Sequence, residues 1–125
     1  MRLLLDSHVL IWWLENPDRI AKPLRDAISD PTNDVFFSAA SIWELTIKSS
    51  LNRLRLPPSF VTLLRHDGLD ELEINTSHAQ ATASLPPIHG DPFDRMLIAQ
   101  ALTEGLVLAT RDATIMRYDV PVIEA

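Results

Sequence analysis

The chain has 125 residues, 46% hydrophobic and 22% charged, with a formal net charge of -6 and no cysteine. That is room for one domain with one core, and it excludes disulfide frameworks, thiolate nucleophiles and cysteine-based zinc sites. An acidic chain has no overall attraction for a polyphosphate, so nucleic acid could be handled only through a local basic patch or a bound cation.

Arg2–Leu5 is a short apolar run ending at Asp6, the pattern of a strand buried on both faces in a parallel sheet. Ser7 to Leu14 follows with helical character, stopped by Asn16-Pro17. Its apolar stretch, Val9 to Leu14, is too short for a signal-peptide core or for a membrane span, which needs about 20 residues. A soluble, cytoplasmic protein is expected. Asp18 to Asp30 carries Ile20, Leu24, Ala27 and Ile28 at helical spacing, and Asp34 to Ser38 reads as a second strand. A helix is predicted over Ser41 to Leu51, another from Pro57-Pro58 to Gly68, a third strand over Glu71 to Ile74, and a weak helix over Thr76 to Leu85. Pro92 to Glu104 is a strong helix with Gly105 at its C-cap. Leu106 to Ala109 is a fourth strand, Asp112 to Arg117 a short helix, and Val120 to Ile123 a last strand. Strands alternating with helices predict one α/β domain: a three-layer sandwich with a short, mostly parallel sheet and helices on both faces.

Ligands of such sheets gather beyond the carboxyl ends of the strands, and four acids fall there: Asp6, Glu44, Asp94 and Asp112. Each also has an ordinary explanation. Ser41-Ile42-Trp43-Glu44 has the spacing of a capping box, and Glu44 could pair with Lys48 one turn on. Asp91-Pro92-Phe93-Asp94 has the look of a helix start, and Asp112 could be a simple cap. Periodicity argues against capping alone for two of them. Ile98 and Ala101 continue the stripe begun by Asp94, and Ile47 and Leu51 that of Glu44, so both carboxylates are expected to point inward. Inward carboxylates need a strong partner, and a hard divalent cation such as Mg²⁺, or Mn²⁺ in its place, would serve.

Leu4-Leu5-Asp6-Ser7-His8, Ser41-Ile42-Trp43-Glu44, Asp91-Pro92-Phe93-Asp94-Arg95 running into Leu97-Ile98-Ala99-Gln100-Ala101, and Thr110-Arg111-Asp112 together resemble the motifs of PIN-domain nucleases. They are most similar to the VapC-type toxins of bacterial toxin–antitoxin pairs, in order over nearly the whole chain. The resemblance implies a PIN-like fold, Mg²⁺-dependent endoribonuclease activity, an RNA substrate, a homodimer and a cognate antitoxin. Asp6, Glu44 and Asp94 match the family's acidic triad and Asp112 its more variable fourth acid. Ser7 stands where the family often has Thr and keeps the hydroxyl.

Ser38 and Thr110, each at a strand end, are supporting candidates that could hydrogen-bond a site carboxylate, or else turn hydroxyls. His8 reads as packing at a helix start and His89 as a loop residue, and no two histidines have the spacing of a zinc helix. Lys48, Arg53 and Arg55 are either a solvated face or a phosphate track beside the site. Trp12, Trp13 and Trp43 read as core or dimer-contact residues rather than base-stacking platforms. Two other readings share the acids: a receiver-like Mg²⁺-binding signalling module, and a PIN-like binding module without catalysis.

Overall fold

A computed structural model describes residues 1–125. The sheet is built from β1 (Arg2–Leu5), β2 (Asp34–Ser38), β3 (Asp70–Leu72), β4 (Val107–Thr110) and β5 (Val122–Glu124). Its order is β3-β2-β1-β4-β5, and every pair is parallel. The central strand, β1, has Leu3, Leu4 and Leu5 wholly buried, as an apolar run without alternation requires.

Six α-helices connect the strands: α1 (Ser7–Glu15), α2 (Lys22–Ser29), α3 (Ala39–Ser50), α4 (Phe60–His66), α5 (Thr76–Ala81) and α6 (Pro92–Glu104). Strand side chains alternate between faces. Leu3, Leu5, Val35 and Phe37 therefore meet Val9, Leu10, Leu24, Ile28 and Leu64 from α1, α2 and α4. Leu4 and Leu108 meet Leu97, Ile98 and Ala101 of α6 on the other side. The expected three-layer α/β sandwich is what forms. A receiver-like sheet would run 2-1-3-4-5, so this strand order sets that alternative aside.

Several boundaries differ from expectation. The helix expected over Asp18 to Asp30 is broken into a 3-10 turn, Pro17–Arg19, and α2, because Pro23 is tolerated only in a first turn. The third strand lies one residue earlier than expected at its start and ends at Leu72. The last starts two residues later and ends one later, where Val122 and Ile123 find Leu108 and Ala109 as partners. α6 has the expected limits, and Gly105 caps it in the left-handed region, φ 67°. No helix is long and apolar enough to cross a membrane.

β1 is the point where the winding reverses: the chain moves outward through β2 and β3, then returns to place β4 on the other side of β1. In open parallel sheets the crevice at such a switch point, beyond the carboxyl ends, receives the ligand. Asp6 follows β1, and Thr110 closes β4.

Candidate active site

Asp6 leaves β1 as the N-cap of α1, with Oδ1 accepting from the Val9 amide at 3.1 Å. Its Oδ2 accepts a short hydrogen bond from the Thr110 hydroxyl. Only 6% of Asp6 is exposed. Burial pushes its carboxyl above the ordinary carboxylate range, and the bonds from Thr110 and Val9 oppose this without cancelling it.

Glu44 comes from the middle of α3. The Ser41–Glu44 spacing suggests a capping box, but the helix begins at Ala39, two residues before Ser41, with Ser38 as its N-cap. Glu44 therefore has no capping role. It is 7% exposed, and Oε1 accepts from the Ser7 hydroxyl at 2.6 Å, while Oε2 accepts from Lys48 Nζ at 3.1 Å. The Ser7 hydroxyl thus orients this acid, and Lys48 is an intrahelical partner.

Asp94 is the third residue of α6, but Asp91 does the capping: its Oδ1 accepts from the amides of Phe93 at 2.8 Å and Asp94 at 3.3 Å. The Asp94 side chain is free to turn inward. Its carboxyl is pushed up to about 7, first by burial and then by the charge of Asp91, with Glu44 and Asp6 adding to the repulsion and His89 opposing it. Asp94 thus feels the charge of both other acids of the expected triad.

Asp112 has a double character. Oδ1 accepts from the amides of Thr114 at 2.7 Å and Ile115 at 3.4 Å, so half of it is a cap. The expected helix it would start is only a 3-10 turn, Ile115–Arg117. Burial is the largest single influence and raises its carboxyl, but the two amides and His89 together outweigh it and hold the group below the ordinary range. Its Oδ2 remains available, 3.5 Å from His89 Nε2.

The two supporting candidates separate. Thr110 lies in the site and joins two acids, donating to Asp6 and accepting from the Asp112 amide at 3.0 Å. Ser38 does not join them. Its buried hydroxyl accepts from the Ala40 amide at 3.0 Å and donates to Gln100 Oε1 at 2.6 Å, which occupies it structurally.

His89 is the residue that the sequence reading leaves out of the site. It lies in a loop, as expected, but its Nε2 is 2.9 Å from Asp94 Oδ2. The atom is buried and makes no aligned hydrogen bond, so two carboxylates surround it without satisfying it. The Asp91 amide donates to Nδ1 at 3.3 Å, and the Tyr118 hydroxyl receives the His89 amide at 2.7 Å. Arg95 holds this loop in turn, through Tyr118 Oη at 3.1 Å and the carbonyls of Pro86 and Thr82 at 2.9 and 2.8 Å. Ligand atoms of His89, Asp94 and Asp112 all lie within 4.8 Å of one another. An orphaned buried nitrogen among crowded acids, one of them with a carboxyl near 7, fits the residues to a divalent cation. The signal in the sequence was slight: His89 stands five residues before Asp94, but across a turn through Gly90 that periodicity does not describe.

Comparisons with known proteins agree with this geometry. The family model described as PIN domain matches residues 3–121. Ribonuclease VapC22 of Mycobacterium tuberculosis is 30% identical over 122 residues, covering 95% of this chain and 93% of the relative. Among solved structures, VapBC2 from Rickettsia felis bound to a DNA fragment from its promoter superposes with a TM-score of 0.76 at 11% identity, covering 99% of this chain and 98% of that one. FitAcB from Neisseria gonorrhoeae gives a TM-score of 0.68 at 23% identity, covering 97% and 96%. Parallel sheet, acids at the switch point and a family model spanning nearly the whole chain lead to one conclusion: this chain belongs to the PIN domain family.

Proposed function

We propose that the protein is a metal-dependent endoribonuclease, the toxin of a toxin–antitoxin pair. The observation that carries this reading is the convergence of Asp6, Glu44 and Asp94 from three separate elements, where burial first, then the charge of Asp91, and then those of Glu44 and Asp6 push the Asp94 carboxyl up to about 7. Likeness to a relative named as a ribonuclease and to VapBC assemblies supports it. Asp6, Asp94 and the free oxygen of Asp112 would hold the cation, with His89 Nε2 beside them and Glu44 facing them. Mg²⁺ is the expected ion, and a nitrogen donor also suits Mn²⁺. When bound, a divalent cation supplies Lewis acidity to a phosphoryl oxygen and makes a bound water more acidic.

The chain's own residues do the orienting. Thr110 fixes the Asp6 carboxylate, and Ser7 fixes Glu44. The Glu44 carboxylate, held by Ser7 and Lys48, would take the proton of the attacking water. Arg53, which forms no ion pair, lines a hollow with Ser7, His8 and Lys48 and offers a first phosphate contact.

Asp6→Asn and Asp94→Asn are expected to abolish RNA cleavage while leaving the fold intact by circular dichroism. Products are expected to carry 5′-phosphate and 3′-hydroxyl ends, since water is the nucleophile. A 2′,3′-cyclic phosphate would show attack by the RNA's own hydroxyl and overturn the mechanism. A folded Asp94→Asn protein that cuts at the parent rate would overturn the site.

The partner belongs to the same reading. Co-expression of a small cognate antitoxin should suppress toxicity, an Arg or Lys of its tail occupying the cation's place among the acids. The homodimer is assigned to the apolar face of Trp43, which is 62% exposed and edge-on to Phe93 at 5.2 Å. Trp43→Asp should then sediment as a monomer; an unchanged dimer would move the interface elsewhere.

A further inference from the structure

Beside the acids lies a hollow of ≈ 270 Å³ lined by Asp6, His8, Trp12, Arg111 and Asp112. One end is anionic. The other is a cationic and aromatic wall that the chemistry described above does not use. The Arg111 guanidinium carbon stands 4.4 Å from the centre of the Trp12 ring and that of Arg19 stands 4.9 Å from it. Neither arginine pairs with an Asp or Glu side chain, although two like charges share one ring.

Arg111 is held rigidly. Its Nε donates to the Ala125 carbonyl at 2.9 Å, and its Nη2 makes a short bond to the Arg19 carbonyl. Those bonds take one edge of the planar fork and leave Nη1 free, so the charge is fixed in place with donors to spare. A preorganised guanidinium loses little freedom on binding and matches phosphate oxygens better than a mobile lysine does. The His8 ring, exposed, lies 6.0 Å from that of Trp12 and forms the ridge between this hollow and the one lined by Arg53 and Lys48.

We infer that this hollow is a nucleotide subsite of the nuclease. Arg111, stacked on Trp12, holds the phosphate next to the scissile one, and the exposed His8 ring beside it receives the adjoining base. The inference rests on the ribonuclease reading and goes further by naming where a neighbouring nucleotide sits. The volume is just below the roughly 300 Å³ at which small-ligand sites begin, so the hollow takes part of one nucleotide while the rest of the strand stays outside it. The arrangement of charge agrees as well. An oligonucleotide places phosphates in succession, so one can meet the acidic, cation-binding end while the next meets Arg111.

The test measures binding of a short, fluorescently labelled single-stranded RNA by anisotropy in the Asp94→Asn background, with cleavage of the same RNA assayed separately in the parent. Each phosphate contact on a single strand contributes about 0.7 to the slope of log affinity against log salt. Arg111→Ala should lower that slope by about one contact. Arg111→Lys, which keeps charge but loses the carbonyl ties, should retain the slope with weaker binding. Lys22→Ala, a remote exposed control paired with Asp26, should behave like its parent. A merely structural Arg111 would change affinity or melting temperature without changing the salt slope, and that result would overturn the phosphate assignment. Removing the base with an abasic substitution should weaken binding roughly five- to hundredfold when the lost base is the stacked one. His8→Ala should remove most of that sensitivity; an equal penalty with and without His8 would overturn the base assignment. If Arg111→Ala leaves RNA binding untouched and only frees the protein from antitoxin, the hollow is a protein-docking site and the inference fails. A parent that binds RNA with these dependences but cuts none would overturn the nuclease reading instead.

Discussion

Burial, and then the charges of Asp91, Glu44 and Asp6, push the Asp94 carboxyl up to about 7, and an unfolded chain offers neither influence. The native protein therefore holds a proton there that the unfolded chain, with an ordinary value of 3.8, has released. Stability from this group is fully present below about pH 4 and is lost as the pH rises toward about 7, because the native state binds more protons throughout that window. Asp6, also raised, acts in the same direction. Metal-free Asp94→Asn should show a flatter decline in thermal stability over the same range, and identical profiles would mean that Asp94 does not carry the repulsion. His89 makes a different prediction. Its Nε2 contributes no aligned hydrogen bond to the metal-free fold, while Nδ1 accepts from the Asp91 amide at 3.3 Å, so His89→Ala should lose about 0.5–1.5 kcal/mol in chelator for that bond, and metal affinity is the readout that identifies a ligand. Residues supporting a metal centre typically change affinity about 10- to 100-fold, and calorimetric titration of the variant with Mn²⁺ should show a loss of that size. Equal affinity would remove His89 from the centre.

At the scale of elements, β1, β2 and α6 were legible because burial and periodicity act within a few residues. Arg2–Leu5 and Asp34–Ser38 form as expected, and Pro92–Glu104 is bounded by Asp91 and Gly105. The start of α3 was not. Ser41 is followed three residues later by Glu44, the spacing of a capping box, whereas Ser38 has no such partner, and only the end of β2 at Ser38 shows that the helix starts earlier. The structure chooses Ser38, which caps the helix and donates to buried Gln100. The site shows the same division. Which acids face inward followed from stripes within α3 and α6, whereas His89 depends on a loop held by Arg95 and Tyr118, contacts between residues distant in sequence. Ser38→Ala should cost about 1 kcal/mol for the cap and about 1–3 kcal/mol more for the stranded amide of Gln100. Ser41→Ala should be neutral or stabilising, since its buried hydroxyl has no partner. Denaturant melts of the two variants test the frame of the helix, and the reverse order would refute it.

For the molecule as a whole, the question is whether the acids are an incomplete site or ordinary surface charge. A net charge of -6 and a buried acidic cluster both disfavour the metal-free state near neutral pH. A cation that binds only the native protein should stabilise it by about 2.7 kcal/mol at a hundredfold excess over its dissociation constant. For a domain of this size that is roughly a 10 °C rise in melting temperature, at about 4 °C per kcal/mol. Thermal melts of the parent, Asp94→Asn and Asp30→Asn, in chelator and in Mg²⁺ or Mn²⁺, separate the cases. In chelator, Asp94→Asn should melt at or above the parent, because a neutral isostere relieves repulsion. With metal, the parent should rise and Asp94→Asn should rise much less. Asp30 lies outside the site at the end of α2, accepting from the Thr32 amide at 2.9 Å and its hydroxyl at 2.7 Å. Its Asn variant should therefore respond to metal as the parent does, whatever it does to the baseline. If Asp94→Asn instead lowers the metal-free melting temperature and keeps the full metal-induced rise, then Asp94 supports the start of α6 alone, and the cation, if one binds, is held without it.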